Sequence, residues 1–253
     1  MEAFRALLVV DAERFSAHSD VQLPRLHLEI RRVLAAAFED SGLGDTWKGL
    51  RFVQSTGDGV LAVLPHEVAP RLADPFPRRL QDELAASAPG LRARGMRLRL
   101  RVAMHVGLVD DERPDAPGIS AATVDVNRLV DGPPLRDALR DSDPEVTYAA
   151  FLFSAEMFSV YVAGGRTGLR ESQFTEVAIA VKQFARHAHL YVPKPSRAPD
   201  IAEPAEHEAG DAEAPRASVP PGERPSIGGI TIGGDGQNAI GNIVGGDLRQ
   251  ERR

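Results

Sequence analysis

The chain has 253 residues, 43% hydrophobic but only 6% aromatic, which allows one or two domains around a mostly aliphatic core. Its formal net charge of -6 argues against non-specific binding to nucleic acid or to a membrane surface. The absence of cysteine excludes disulfides, thiolate catalysis and cysteine-held zinc or iron–sulfur centres, and favours a cytoplasmic location.

The first residues carry no basic leader, so no signal peptide is expected, and no apolar run is long enough to span a bilayer as a helix. Residues 4–10 read as a central strand, closed by Asp11. Residues 22–40 place Leu26, Ile30, Val33, Leu34, Ala37 and Phe38 at helical spacing, with Pro24 allowed in the first turn. Ser41, Gly42 and Gly44 stop that helix. Residues 51–65 read as strand, turn and strand, with Asp58-Gly59 as the hairpin signal. Residues 78–86 predict a helix, bounded by loops at Gly90 and Gly95.

The alternation is cleanest over residues 96–109, where Met96, Leu98, Leu100, Val102, Met104, Val106 and Leu108 interleave with a row containing Arg97, Arg99 and Arg101. This predicts a long strand whose arginines form either a solvated face or a basic strip near phosphates. Residues 121–129 predict a helix, despite the poor helix formers Thr123, Val124 and Val126. Residues 148–161 are apolar and of helical length, and residues 176–181 and 188–192 read as the last two strands.

After Pro193 the composition shifts. Residues 194–225 are rich in Pro, Ala, Glu and Asp and read as a disordered linker. Residues 226–248 alternate glycine with Ile227, Ile230, Ile232, Ile240, Ile243 and Val244, with Gln237, Asn238 and Asn242 between them, and residues 249–253 form a tail. Such a segment cannot build a core alone but suits short stacked strands with copies of itself, although its glycines resist this by their entropy. It has the look of short amyloid-type signalling motifs, which implies a protein partner carrying a similar segment.

Asp11 and Asp58 have the same setting, each a carboxylate at the edge of an apolar strand. Either suits a turn cap, and together they suit hard cations such as magnesium. Glu13 reads as a surface residue, and Asp110 and Asp111 as loop residues. Arg128 and Lys182 supply candidate positive charge, or simply a helix salt bridge and a solvated strand edge. His105 reads as a packed sheet residue rather than a base. No nucleotide-binding glycine loop and no nucleophile elbow is present.

In order along the chain, Asp11-Ala12-Glu13-Arg14-Phe15-Ser16 resembles D-I-x-G-F-[ST], and Ser55-Thr56-Gly57-Asp58-Gly59 resembles T-x-G-D-[GA]. Arg101-Val102-Ala103-Met104-His105-Val106-Gly107 resembles R-x-[GA]-[IL]-H-x-G, Asn127-Arg128-Leu129 the end of V-N-x-A-x-R-L, and Val181-Lys182 a final V-K. The series over residues 1–193 resembles the catalytic domain of class III nucleotidyl (adenylate and guanylate) cyclases. That resemblance implies an α/β (α+β) sandwich with a ferredoxin-like core. Its mostly antiparallel sheet would be covered by helices on one face, with the other partly open until a homodimer forms. It implies a lyase that turns a nucleoside triphosphate into a cyclic nucleotide and pyrophosphate with two Mg²⁺ or Mn²⁺ ions. Asp11, Asp58 and the carbonyl of Ala12 would hold metal, Phe15 and Ser16 would shape the phosphate loop, and Arg128 and Lys182 would act from the partner. Two family positions depart. The transition-state asparagine falls on Val124, and the base-reading lysine falls on Gln54, with its partner position near Pro117. A regulatory module that keeps the fold without turnover is the alternative.

Overall fold

A computed structural model describes residues 2–50, 52–55, 57–113, 115–181 and 184–198, which lie within one compact unit, Met1–Glu203. Lys182, most of the expected linker and the whole of the expected self-association motif lie outside the described residues.

The elements follow in chain order as β1 (Ala3–Ala12), α1 (Leu23–Asp40), α2 (Gly44–Lys48), β2 (Phe52–Ser55), β3 (Gly59–Pro65), α3 (Ala69–Ala73) and α4 (Phe76–Arg92). Then come β4 (Leu100–Val109), α5 (Ala121–Val130), α6 (Pro133–Arg140), β5 (Ala149–Ser154), α7 (Ala155–Phe158), β6 (Phe174–Val181) and β7 (Phe184–Tyr191). The strands make one sheet in the order β2-β3-β1-β4-β5-β7-β6. Among the described residues only β4 and β5 pair in parallel; every other neighbouring pair is antiparallel. This is the mixed α+β architecture that the resemblance implies.

Two apolar layers follow from the period of two along β1. Ala6, Leu8 and Val10 face one layer, with the α1 stripe of Leu26, Ile30, Val33, Leu34, Ala37 and Phe38 and with Leu80 and Leu84 of α4. Each large side chain so buried contributes roughly 1.5–3 kcal/mol. Leu7 and Val9 face the other layer, against Val126 and Leu129 of α5 and Leu135 and Leu139 of α6. The second face, expected to be partly open until a dimer forms, is covered over the central strands by α5 and α6 of the chain itself.

Three further elements differ from expectation. Residues 149–154 are a strand rather than part of a helix. All six residues of β5 are buried, with Phe151 and Phe153 in one layer and Ala150 and Leu152 in the other. A strand buried on both faces shows no alternation to read. α4 runs past Gly90 to Arg92, because Phe76, Leu80, Leu84, Ala88 and Leu91 continue one apolar stripe through Pro89. β4 starts at Leu100; Met96 and Leu98 are buried ahead of it.

The chain also stays on the domain beyond Pro193. Thr147 Oγ1 donates to the Lys194 carbonyl at 2.6 Å, the Asp143 N–H donates to Ser196 Oγ at 2.9 Å, and the Ala198 N–H donates to the Asp141 carbonyl at 2.9 Å.

Candidate active site

The site is set by strand register. In the β1–β3 pair Asp11 lies opposite Gly59, and the Ala12 N–H donates to the Asp58 carbonyl at 2.9 Å. Asp11 on β1 and Asp58, in the turn just ahead of β3, therefore stand at one end of the sheet. Both are half-buried. The turn between β2 and β3 is tied to α1, whose His27 Nδ1 lies 2.9 Å from the Gly57 carbonyl. Gly57 has φ 89, a conformation that glycine adopts without strain.

Asp11 has a second neighbour. β4 pairs with β1 on its other edge, with Asp11 opposite Arg101, and the Arg101 guanidinium donates to the Asp11 carboxylate. Burial pushes the Asp11 carboxyl above the usual carboxylate range, Arg101 opposes that shift, and the charges of Asp58 and Asp131 add to it. Two residues on, the pattern repeats. Glu13 accepts from Arg99 Nη1 at 3.1 Å, and Arg99 is buried, donating also to the Thr147 and Leu139 carbonyls at 2.9 and 2.7 Å and to Ser142 Oγ at 2.5 Å. The arginine row is thus neither a solvated face nor a free basic strip: Arg101 and Arg99 each clamp a carboxylate, and only Arg97 is largely exposed. Glu13 is correspondingly an ion-pair partner rather than a loose surface residue.

Beyond Ala12 the backbone turns sharply. Arg14 has φ 54 and ψ 31, the left-handed region, which costs a non-glycine residue about 1–2 kcal/mol. Phe15 packs against the α1 layer, and Ser16 is exposed in the following short turn.

The remaining candidates are elsewhere. Arg128, on α5, lies 3.9 Å from Asp125 and stacks over the Phe184 ring at 5.5 Å. Val124 is exposed on the same helix, and the Asn127 amide donates to the Thr123 carbonyl at 2.7 Å. Gln54 is exposed on β2 opposite Leu61. His105 is a packed sheet residue, with its Nδ1 3.6 Å from Glu156 and without a hydrogen-bond partner.

Among the described residues no group of three or more His, Cys, Asp or Glu side chains converges on one point. Two carboxylates nevertheless fit a magnesium ion, which keeps waters and takes its other ligands from substrate phosphates. Asp11 and Asp58 are the residues that would hold it.

No protein-family model matches the chain, and no curated protein matches it. Solved structures do. The guanylyl cyclase Cya2 aligns with a TM-score of 0.50 at 16% identity, over 80% of this chain and 96% of that one. The adenylyl cyclase CyaB from P. aeruginosa aligns with a TM-score of 0.50 at 16% identity, over 79% and 99%. A bacterial light-regulated adenylyl cyclase reaches 0.52 at 14% identity, over 78% of this chain but 54% of that one. The chain therefore has the fold of adenylyl and guanylyl cyclase domains. No helix among the described residues is long and apolar enough to cross a membrane.

Proposed function

We propose that the chain is a divergent nucleotidyl cyclase, which converts a nucleoside triphosphate into a cyclic nucleotide and pyrophosphate in a homodimer. One observation carries this reading: the β1–β3 register brings Asp11 and Asp58 to one sheet end inside a cyclase fold. In this reading Asp11 and Asp58 bind Mg²⁺ or Mn²⁺, and the turn at Phe15 and Ser16 borders the phosphates. By the resemblance, Arg128 and Lys182 act from the second protomer; Arg128 pairs only loosely with Asp125 on the outer side of α5, 3.9 Å away. When bound, the metal pair supplies charge neutralisation at the phosphate and activation of the attacking hydroxyl.

A second reading, a nucleotide-binding module without turnover, is favoured by Val124, which offers no donor where the resembled enzymes place an asparagine. The two separate on one experiment. The purified full chain is incubated with each of the four ribonucleoside triphosphates and Mg²⁺ or Mn²⁺, and cyclic product and pyrophosphate are assayed. Product that Asp58→Ala lowers by about three orders of magnitude supports the cyclase, since a metal site supplies several kcal/mol and each 1.36 kcal/mol is tenfold. Nucleotide binding without product supports the module.

The same proposal covers the organisation of the chain, with the nucleotide domain extended from residue 193 to Ala198 by the bonds of Lys194, Ser196 and Ala198, and the linker running from there to residue 225. Residues 226–248 are then a self-association motif that recruits a protein bearing a similar segment. Fusing residues 226–248 to a soluble carrier tests this. Concentration-dependent cross-β assembly that Ile232→Asp and Ile243→Asp abolish is the expected result, and a fusion that stays monomeric and captures no similar motif refutes it.

A further inference from the structure

The β6–β7 hairpin closes one edge of the sheet, and its two faces are built differently. On one, Val177, Ile179, Phe184 and Ala188 pack into the layer under α5 and α6. On the other, the register sets Glu176 opposite His189, Ala178 opposite His187 and Ala180 opposite Ala185. His187 and His189, two residues apart on one strand, share that face and stand roughly 6–7 Å apart along it. Between Val177 and Pro199 the chain holds no other histidine and no carboxylate. The antiparallel pairing brings in the third donor, Glu176, and the exposed alanines beside it leave the cluster open to solvent.

The three side chains are within mutual reach. His187 Nδ1 lies 3.2 Å from Glu176 Oε1. His189 lies flat on the Phe158 ring, with centroids 3.6 Å and planes 10° apart. That stacking fixes the imidazole plane without using a ring nitrogen, and among the described residues His189 makes no hydrogen bond. Burial pushes the His189 pKa below the ordinary histidine value, Glu176 opposes that shift and His187 adds to it. The ring is therefore neutral near neutral pH, the form that ligates metal.

We propose that Glu176, His187 and His189 bind a divalent ion of the zinc class, with water completing its shell. Two imidazoles and a carboxylate are a donor set that zinc takes in open sites. The imidazoles separate this site from the corner at Asp11 and Asp58, whose oxygens suit harder cations. In the metal-free chain the three side chains do not converge on one point. They need only turn. The Glu176 and His187 side chains are 65% and 70% exposed, so neither has packing to break, while His189 is held against Phe158 as the fixed ligand. Closure exchanges the contact between His187 and Glu176 for bonds to the ion and ties β6 to β7. The inference stands apart from the nucleotide reading, since it uses neither the aspartate corner nor α5.

Calorimetric titration of the untagged full chain with zinc chloride, with magnesium in excess to fill any hard-cation site, tests the proposal. Saturable binding of one zinc per chain is expected. His187→Gln, His189→Gln and Glu176→Gln should each weaken it at least about tenfold, since even an outer partner of a metal ligand is worth that much. His187 and Glu176 are exposed, so their variants should keep the metal-free urea midpoint of the unaltered chain. Zinc should raise the melting temperature of the unaltered chain and leave that of His187→Gln where it was. Asp58→Ala should bind zinc as the unaltered chain does. No saturable zinc binding, or an unchanged affinity in any of the three glutamine variants, overturns the proposal. Binding that Asp58→Ala abolishes and His187→Gln retains overturns it as well, by placing the zinc at the aspartate corner.

Discussion

The corner at Asp11 and Asp58 and the outer face of α5 belong to one proposed reaction, yet they are built in opposite ways. The corner is made by main-chain pairing. β1 lies between β3 and β4, and the register on both edges fixes which residues meet: Asp11 with Gly59 on one side and with Arg101 on the other. Moving Asp11 by one position would turn every β1 side chain to the wrong layer, so the core that holds Leu7, Leu8, Val9 and Val10 also holds the carboxylate in place. The face of α5 has no such restraint. Val126 and Leu129 anchor the helix, while Val124 and Arg128 look outward, where substitution costs the fold little. Function carried by strand ends is locked to stability, and function carried by an outer helix face is free to drift. In the proposed reading, Val124 at the position of the resembled enzymes' asparagine is what that freedom permits.

The largest effect should follow from breaking the lock. Arg99→Ala removes a buried guanidinium that satisfies Glu13, Ser142 and the carbonyls of Thr147 and Leu139. Glu13 and the Thr147 carbonyl lose that donor, although the Leu139 carbonyl keeps the Ser142 hydroxyl at 2.8 Å, and the loss in unfolding free energy is expected to be about 3–5 kcal/mol by urea titration. Arg128→Ala on the outer helix should cost under about 1 kcal/mol in the same assay, because its ion pair is exposed. Equal losses in the two variants would erase the contrast.

Next comes the division of the site between protomers. Asp58→Ala and Arg128→Ala are each expected to be inactive alone. Mixed in equal amounts and allowed to exchange, they should recover about a quarter of the original activity, since half the two-fold dimers are mixed and each keeps one intact site. No recovery from a mixture that sedimentation shows to exchange would place both residues in one chain's site and remove the shared-site reading.

The contrast also explains what could be read from sequence. α1 was legible because it has one buried and one exposed face, while β1 and β3 showed as short apolar runs bounded by Asp11 and by the Asp58-Gly59 turn signal. β5, also buried on both sides, was not, because its apolar run passes straight into α7 with no turn residue between them, so the whole stretch has helical length. α6 left little pattern, since it is short, opens on Pro133 and Pro134 and buries only Leu135 and Leu139. The aspartates stood out as carboxylates ending apolar runs. Their partners Arg99 and Arg101 appeared only as an alternating basic row, and nothing local says whether such a row meets solvent, phosphate or carboxylate. That depends on β1 lying beside β4, a pairing between residues about 90 apart in the chain. The positive φ of Arg14 had no local signal, because the position does not hold glycine.

A smaller effect would sharpen the comparison from the helix side. Val124→Asn places an amide donor on the exposed face of α5, where it costs little stability. Loss of one such donor costs on the order of 10²–10³ in rate, so its return should raise cyclic product formation roughly 10- to 100-fold if the rest of the site is intact. An unaltered rate, with nucleotide still bound, favours the module.

The smallest effect concerns His105, which β4 carries between the two regions. Its ring is buried, and burial pushes its pKa below the ordinary histidine value, against the opposing charges of Glu156 and Asp125. Nδ1 has no hydrogen-bond partner, so the folded protein favours the neutral ring. The unfolded chain takes up its proton near the ordinary value while the folded chain does so only at lower pH, so stability rises with pH across that interval. The contribution is complete above the unfolded pKa and is lost as the pH falls through the folded one. Urea midpoints at about pH 7.5 and about pH 5 should therefore differ more in the unaltered chain than in His105→Gln, by about 1 kcal/mol or less. The difference between the two proteins isolates His105 from the carboxylates that also titrate towards the acid side. An identical pH response in both would mean that His105 takes up its proton inside the fold at no cost, through Glu156, which lies 3.6 Å away and would then have closed on the ring.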